Sequence, residues 1–133
     1  MICDYLFERD KIYAYLNLDD NELFVYQRLY ELLSQDVPTP DLVIYLQAPT
    51  DVIRRRLRDR ARAHSESPSL DDDYVRELNE AYNHFFFHYN ATPLLVLETS
   101  QFDLSWGEET LDDLVKQLRG MGRGTRYYVP RTK

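Results

Sequence analysis

PDLVIYLQAPTDVIRRRLRDRAR, residues 40 to 62, is the stretch that decides the fold class of this chain. Asp41 to Leu46 is a nearly unbroken run of apolar and β-branched residues, the composition of a central parallel strand covered on both faces. Gln47-Ala48-Pro49-Thr50 reads as a short strand-to-helix turn, with Thr50 placed to cap a helix that begins at Asp51. In that helix Ile53, Leu57 and Ala61 form a narrow apolar stripe, and arginine covers most of the remaining surface.

The same alternation continues outward. Toward the N-terminus, Val37-Pro38-Thr39-Pro40 ends a helix, because a proline inside one removes a hydrogen bond and clashes with the preceding turn. That helix runs from the acidic cap candidates Asp19 to Glu22 to about Ser34, with Leu23, Tyr26, Leu29, Tyr30 and Leu33 at core spacing. Glu8 to Leu16 also has helical spacing, and the apolar start MICDYLF (1–7) fits the end of a buried strand, with Cys3 inside it. Toward the C-terminus, Ala63 to Leu70 has no periodicity and reads as a loop. Asp71-Asp72-Asp73 opens a helix to about Tyr89, with Val75, Leu78, Tyr82, Phe85, Phe86 and Tyr89 facing a core. Leu94 to Leu97 is a second strand of the buried type, and Glu109 to Arg119 a last helix. GMGRGT (120–125) reads as a helix C-cap followed by a turn. Strands separated by helices imply an α/β chain with a parallel sheet, and no linker divides the 133 residues, so they form a single domain.

Six arginines occupy the nine positions from 54 to 62, in a chain whose net charge is −7. A solvated helix face is the plain alternative for such a run. Three features point past it. Carboxylates in or just before the run are few, Asp51 and Asp59, so the segment repels itself unless an anion joins it. Every cation is arginine, whose planar fork matches phosphate oxygens in pairs. The run also follows a strand and a short turn, and α/β sheets bind ligands at the carboxyl ends of their strands.

Composition narrows the classes further. The acidic balance argues against general nucleic-acid affinity, which needs a basic face. No stretch approaches the roughly 18 apolar residues of a membrane span. The single cysteine, Cys3, has no internal disulfide partner and suits a reducing, cytoplasmic setting, with burial in a strand as its expected environment. His84 and His88 have the four-residue spacing of metal ligands, but no third ligand stands nearby and the aromatic run HFFFHY favours packing.

DYLFERDKIYAYLNLDDNEL, PDLVIYLQAPTDV, the R-x3-R-x-R pattern, LNEAYNHFFFHYNATPLLVLETS and GTRYYVP together resemble the C-terminal portion of deoxynucleoside kinases, especially the bacterial deoxyadenosine/deoxyguanosine type. The resemblance implies a parallel sheet flanked by helices, of the P-loop kinase kind. It implies transfer of the γ-phosphoryl group of ATP, with Mg2+, to the 5′-hydroxyl of a deoxynucleoside, purines favoured. It places Arg56, Arg60 and Arg62 on the lid (about 54–70), where they clamp phosphates and stabilise transferring charge. It matches Glu66, across a short insertion, to the lid carboxylate that holds the sugar 3′-hydroxyl. Asp4 and Arg9 fall in the segment that lines the nucleoside pocket, although the Glu-Arg-Ser form of that motif in animal relatives is absent. Ala61 stands where the lid usually has glycine. A homodimer is a further implication, through a face near the aromatic helix. A thymidylate-type nucleotide kinase shares an arginine-rich lid, but the LNEAYNHFFFHYNATPLLVLETS segment speaks against it.

One part of the family's apparatus is missing from these residues. A kinase of this type needs G-x-x-x-x-G-K-[ST], whose backbone amides cradle phosphates and whose hydroxyl holds Mg2+. The four glycines are Gly107, Gly120, Gly122 and Gly124, and none belongs to such a loop. The expectation is therefore a partial fold that lacks the N-terminal phosphate-loop portion, leaves a strand edge uncovered, and is inactive unless that half is supplied. A non-catalytic remnant, acting as a binding or dimerisation module, is the alternative.

Overall fold

The computed structural model describes residues 3, 6–64, 71–100 and 108–129. Three strands, β1 (Val43–Gln47), β2 (Leu94–Glu98) and β3 (Thr125–Tyr128), form one parallel sheet in the order β1-β2-β3. Val43 pairs with Leu94, and Leu94 with Thr125. Helices α1 (Arg9–Asn17) and α2 (Asp20–Leu33) precede β1; α3 (Thr50–Ala63) and α4 (Asp72–Phe87) lie between β1 and β2; α5 (Glu108–Arg119) leads into β3. This is the expected α/β class, a partial sheet of the P-loop kinase kind flanked by helices.

The central strand is β2. Leu94, Leu95, Val96 and Leu97 are all essentially buried, and burying such side chains stabilises by about 2 kcal/mol each. Val43 and Tyr45 of β1 join Leu94, Val96, Phe86 and Tyr89 in the core, with Tyr82 and Phe85 packed against it. Tyr45 and Phe86 stack with ring centroids 4.3 Å apart. The aromatic positions of α4 thus face the sheet as their spacing predicts.

Several expectations need correction. β1 is not covered on both faces: Ile44 is 41% and Leu46 65% exposed, and among the described residues only β2 pairs with it. An unbroken apolar run signals two faces that need covering but does not supply the cover. Helix α2 begins with the expected cap, since Asp19 Oδ1 accepts from the Glu22 N–H at 2.8 Å and Glu22 Oε1 accepts from the Asp19 N–H at 3.1 Å. Its apolar stripe nevertheless buries no residue; Leu29 and Leu33 are more than half exposed. Tyr30 instead stacks on Phe7 at 4.9 Å. Cys3 is exposed rather than held inside a strand. The tail contributes β3, which the sequence reading leaves out because Arg126, Tyr127 and Tyr128 lack the apolar run of a buried strand. Gly124, at φ +94°, makes the turn into it, and its carbonyl accepts from the Leu94 N–H.

Candidate functional site

The arginine helix α3 leaves the carboxyl end of β1, where the sheet places it beside the end of β2. It starts one residue early, with Pro49 at the cap position and no side-chain capping bond. Thr50 has a different duty from the expected cap. Its hydroxyl accepts from Asn79 Nδ2 of α4 at 3.0 Å, and the same amide donates to the Ala48 carbonyl at 3.2 Å. Asn79 is buried and thereby fastens the strand-to-helix turn to α4. One turn on, Asn83 Oδ1 accepts from the Tyr45 hydroxyl at 2.6 Å and from Gln47 Nε2 at 2.9 Å. The four-residue spacing of Asn79 and Asn83 inside an otherwise aromatic face was the available signal for this polar seam.

The arginines divide by partner. Arg54 Nε lies 3.8 Å and Arg58 Nη2 3.6 Å from the carboxylate oxygens of Asp72, and Arg54 Nη2 also donates to the Asp72 carbonyl. The run is therefore less self-repelling than its own carboxylates suggest, because α4 brings Asp72 to it. These pairs are half open to water and contribute only a few tenths of a kcal/mol each. Arg56 donates through Nη1 to Thr99 Oγ1 at 2.9 Å and through Nη2 to the Thr99 carbonyl, just past β2. Arg55, Arg60 and Arg62 are exposed, and their side chains have no hydrogen bond or ion pair among the described residues. Helix geometry, about 100° per residue, puts Arg56 and Arg60 on one face and turns Arg62 toward the side of Arg54 and Arg58. The structure so brings together two of the three expected lid arginines. Ala61, at the position where glycine was the family pattern, is buried within the helix.

Of the other expected site residues, Asp4 and Glu66 lie outside the described residues. Arg9 opens α1 and is half-buried. It acts on the Tyr13–Tyr82 pair, whose hydroxyls are 3.2 Å apart. Burial chiefly pushes the Tyr82 hydroxyl up, the Tyr13 hydrogen bond adds to this, and the positive charge of Arg9 opposes it. Burial likewise pushes Tyr45 up to about 12, with the Glu98 charge as a smaller cause. A shallow cleft of about 500 Å³ opens between α1, α2 and the end of α4, lined by Glu8, Lys11, Tyr30, His84 and His88 among others, and none of the α3 arginines lines it. The His84 and His88 rings are 4.7 Å apart. Among the described residues no group of three or more His, Cys, Asp or Glu side chains is gathered as a metal site requires, and no helix is long and apolar enough to cross a membrane.

A parallel α/β sheet with an arginine-bearing helix at the carboxyl end of a strand is consistent with a partial fold of the P-loop kinase kind. The family model described as deoxynucleoside kinase matches residues 4–121, and the chain belongs to that family. It is 30% identical over 116 residues to a deoxyadenosine kinase of Lactobacillus acidophilus, covering 78% of this chain and 54% of that protein. It is 28% identical over 82 residues to a deoxyguanosine kinase of Bacillus subtilis, covering 62% and 39%. A deoxyadenosine/deoxycytidine kinase of Bacillus subtilis is 26% identical over 120 residues, covering 85% and 54%. The chain spans about half the length of the curated relatives it matches, or less. No solved structure matches it.

Proposed function

We propose that the chain supplies the lid and the carboxyl-edge sheet of a deoxynucleoside kinase, which phosphorylates a deoxynucleoside, purine preferred, at its 5′-hydroxyl from ATP. Family membership supports the class, and the relatives named for deoxyadenosine and deoxyguanosine support the purine preference. The observation that carries the reading is the set of guanidiniums without a hydrogen bond or ion pair among the described residues, Arg55, Arg60 and Arg62, on a helix rooted at the carboxyl end of a parallel strand. Arginines so placed neutralise charge that spreads over a phosphoryl group in transfer, and in this chemistry positioning and charge stabilisation are nearly all that a protein contributes. In this reading Arg56, Arg60 and Arg62 act as the lid set, Glu66 holds the sugar 3′-hydroxyl, and Asp4 and Arg9 line the nucleoside pocket.

Mg2+ accompanies the ATP phosphates in this chemistry. The described residues offer no cluster to hold it, so no step is assigned to a metal through them. The 133 residues carry no G-x-x-x-x-G-K-[ST], and we expect them to be inactive without that half. Ile44 and Leu46 leave one face of β1 exposed, where added structure finds apolar surface to cover. The exposed stripe of α2, with Phe24, Val25, Leu29 and Leu32, supports a homodimer or a contact with the missing half. Neither nucleic acid nor a membrane is a partner in this reading, and the setting is the cytoplasm. The second reading is a non-catalytic remnant that acts as a binding or dimerisation module, and the same exposed surfaces favour it.

Two tests separate these. Robust ATP-dependent phosphorylation of deoxyadenosine or deoxyguanosine by the purified 133 residues would refute the inactivity. In-frame translation of the DNA upstream of the Met1 codon is expected to reveal the phosphate loop within roughly half a domain's length; a nearby stop codon with no such loop encoded next door would favour the remnant.

A further inference from the structure

We infer that Arg56 is a positioning residue, tied to Thr99, that sets where the later turns of α3 carry Arg60 and Arg62. The inference rests on the kinase reading for the phosphate and on geometry for the division of labour. Arg56 stands in the second turn of α3 and gives two donors to one residue, the hydroxyl and the carbonyl of Thr99. Thr99 is itself locked. It is 8% exposed, its N–H donates to the Gln47 carbonyl at 2.8 Å, and its hydroxyl donates to the same carbonyl at 3.0 Å. Gln47 ends β1 and in turn donates to Asn83 of α4. A continuous chain of bonds thus runs from α3 to the end of β2, on to the end of β1, and into α4.

A planar fork on two acceptors of one residue is a geometry that arginine provides and lysine does not. Both acceptors are neutral, so Arg56 keeps its charge and still adds to the local positive potential. Two of its five N–H donors are held by Thr99, which fixes the guanidinium in place. Arg60, one turn further, shares the face of Arg56 and Arg62 lies on the other side, neither with a side-chain partner among the described residues. Pinning the second turn of α3 to the sheet fixes the point from which the third and fourth turns carry Arg60 and Arg62. On this reading loss of the Thr99 hydroxyl, which has no charge to offer a phosphate, partly mimics loss of Arg56.

The test is amide hydrogen exchange on the 133-residue chain. Arg56→Lys and Thr99→Val are each expected to speed exchange of the α3 amides beyond residue 56 on the order of tenfold, the scale of a lost pair of hydrogen bonds. The double variant should lose less than the two single effects combined, Thr99→Ser should keep protection, and the amides of α5 should not change. Unchanged exchange in Arg56→Lys, or effects that multiply in the double variant, would overturn the inference. A parallel titration with inorganic tripolyphosphate separates the two readings. Arg60→Gln and Arg62→Gln should weaken binding most, with Arg56→Lys and Thr99→Val each giving a smaller loss. If Arg56→Lys costs as much as Arg60→Gln while Thr99→Val costs nothing, Arg56 is a phosphate ligand and the inference fails. If tripolyphosphate does not bind the unaltered chain at all, the lid reading fails instead, and the exchange coupling still decides the role of Arg56.

Discussion

Replacing Asn79 with leucine tests the joint on which the site is built. Asn79 is 9% exposed, and its amide nitrogen serves both the Ala48 carbonyl and the Thr50 hydroxyl. Leucine fills similar space and donates nothing. Ala48 is itself buried, at 5% exposure, so its carbonyl loses the Asn79 donor without ready access to water. An orphaned buried carbonyl costs about 1–3 kcal/mol, and the half-buried Thr50 hydroxyl adds about 0.5 kcal/mol more. Extra apolar burial by leucine returns about 1 kcal/mol. The net loss is about 1.5 kcal/mol, which at the usual unfolding entropy per residue lowers Tm by about 5 °C for a domain of this size. Thermal unfolding followed by circular dichroism, with urea titration as a second measure, reads this directly. A variant as stable as the parent, or more so, would refute the claim that Asn79 fastens the β1–α3 turn to α4.

Three further outcomes follow from the same structure. Leu95→Ala, at a fully buried position of the central strand, should cost about 3 kcal/mol through lost transfer energy and the cavity left behind; a urea-derived loss under about 1 kcal/mol would mean β2 is not the core strand. Gly124→Ala, at φ +94°, should cost about 1–2 kcal/mol, because a Cβ is strained in that backbone region and not because space is short; an unchanged urea midpoint would contradict the turn. The hydroxyl of Tyr45 is pushed up to about 12 in the fold, above the roughly 10 of an exposed tyrosine. The folded chain therefore holds this proton more tightly than the unfolded chain does. Its contribution is fully present below about pH 10 and is lost as pH rises toward about 12, so urea midpoints should fall across that window more steeply in the parent than in Tyr45→Phe.

The legible parts of the fold were those carried by local pattern. The Asp19–Glu22 cap, the aromatic face of α4 and the apolar run of β2 each follow from residues within a turn or a strand of one another. What escaped reading depends on distant partners. Nothing near Asp72 announces that it pairs with Arg54 and Arg58, and nothing near Thr99 announces Arg56. Thr50 looked like a cap because its neighbours fit one, yet Asn79, 29 residues away, claims its hydroxyl. The exposure of Ile44 and of the α2 stripe was equally hidden, since apolar spacing records a face that needs a cover without saying where the cover comes from. Of the site, the arginine helix and its place after a parallel strand could be read directly; the separation of its arginines by partner required the folded chain.

The most direct test of the central claim is a fusion. The part of the Lactobacillus acidophilus deoxyadenosine kinase that precedes its matched region would be joined in frame to these 133 residues, and ATP-dependent formation of deoxyadenosine monophosphate measured beside the unfused chain. The account predicts no product from the chain alone, product from the fusion, and loss of that product in a fusion carrying Arg60→Gln and Arg62→Gln. A folded fusion that binds ATP but forms no product, or one indifferent to both arginines, would contradict it.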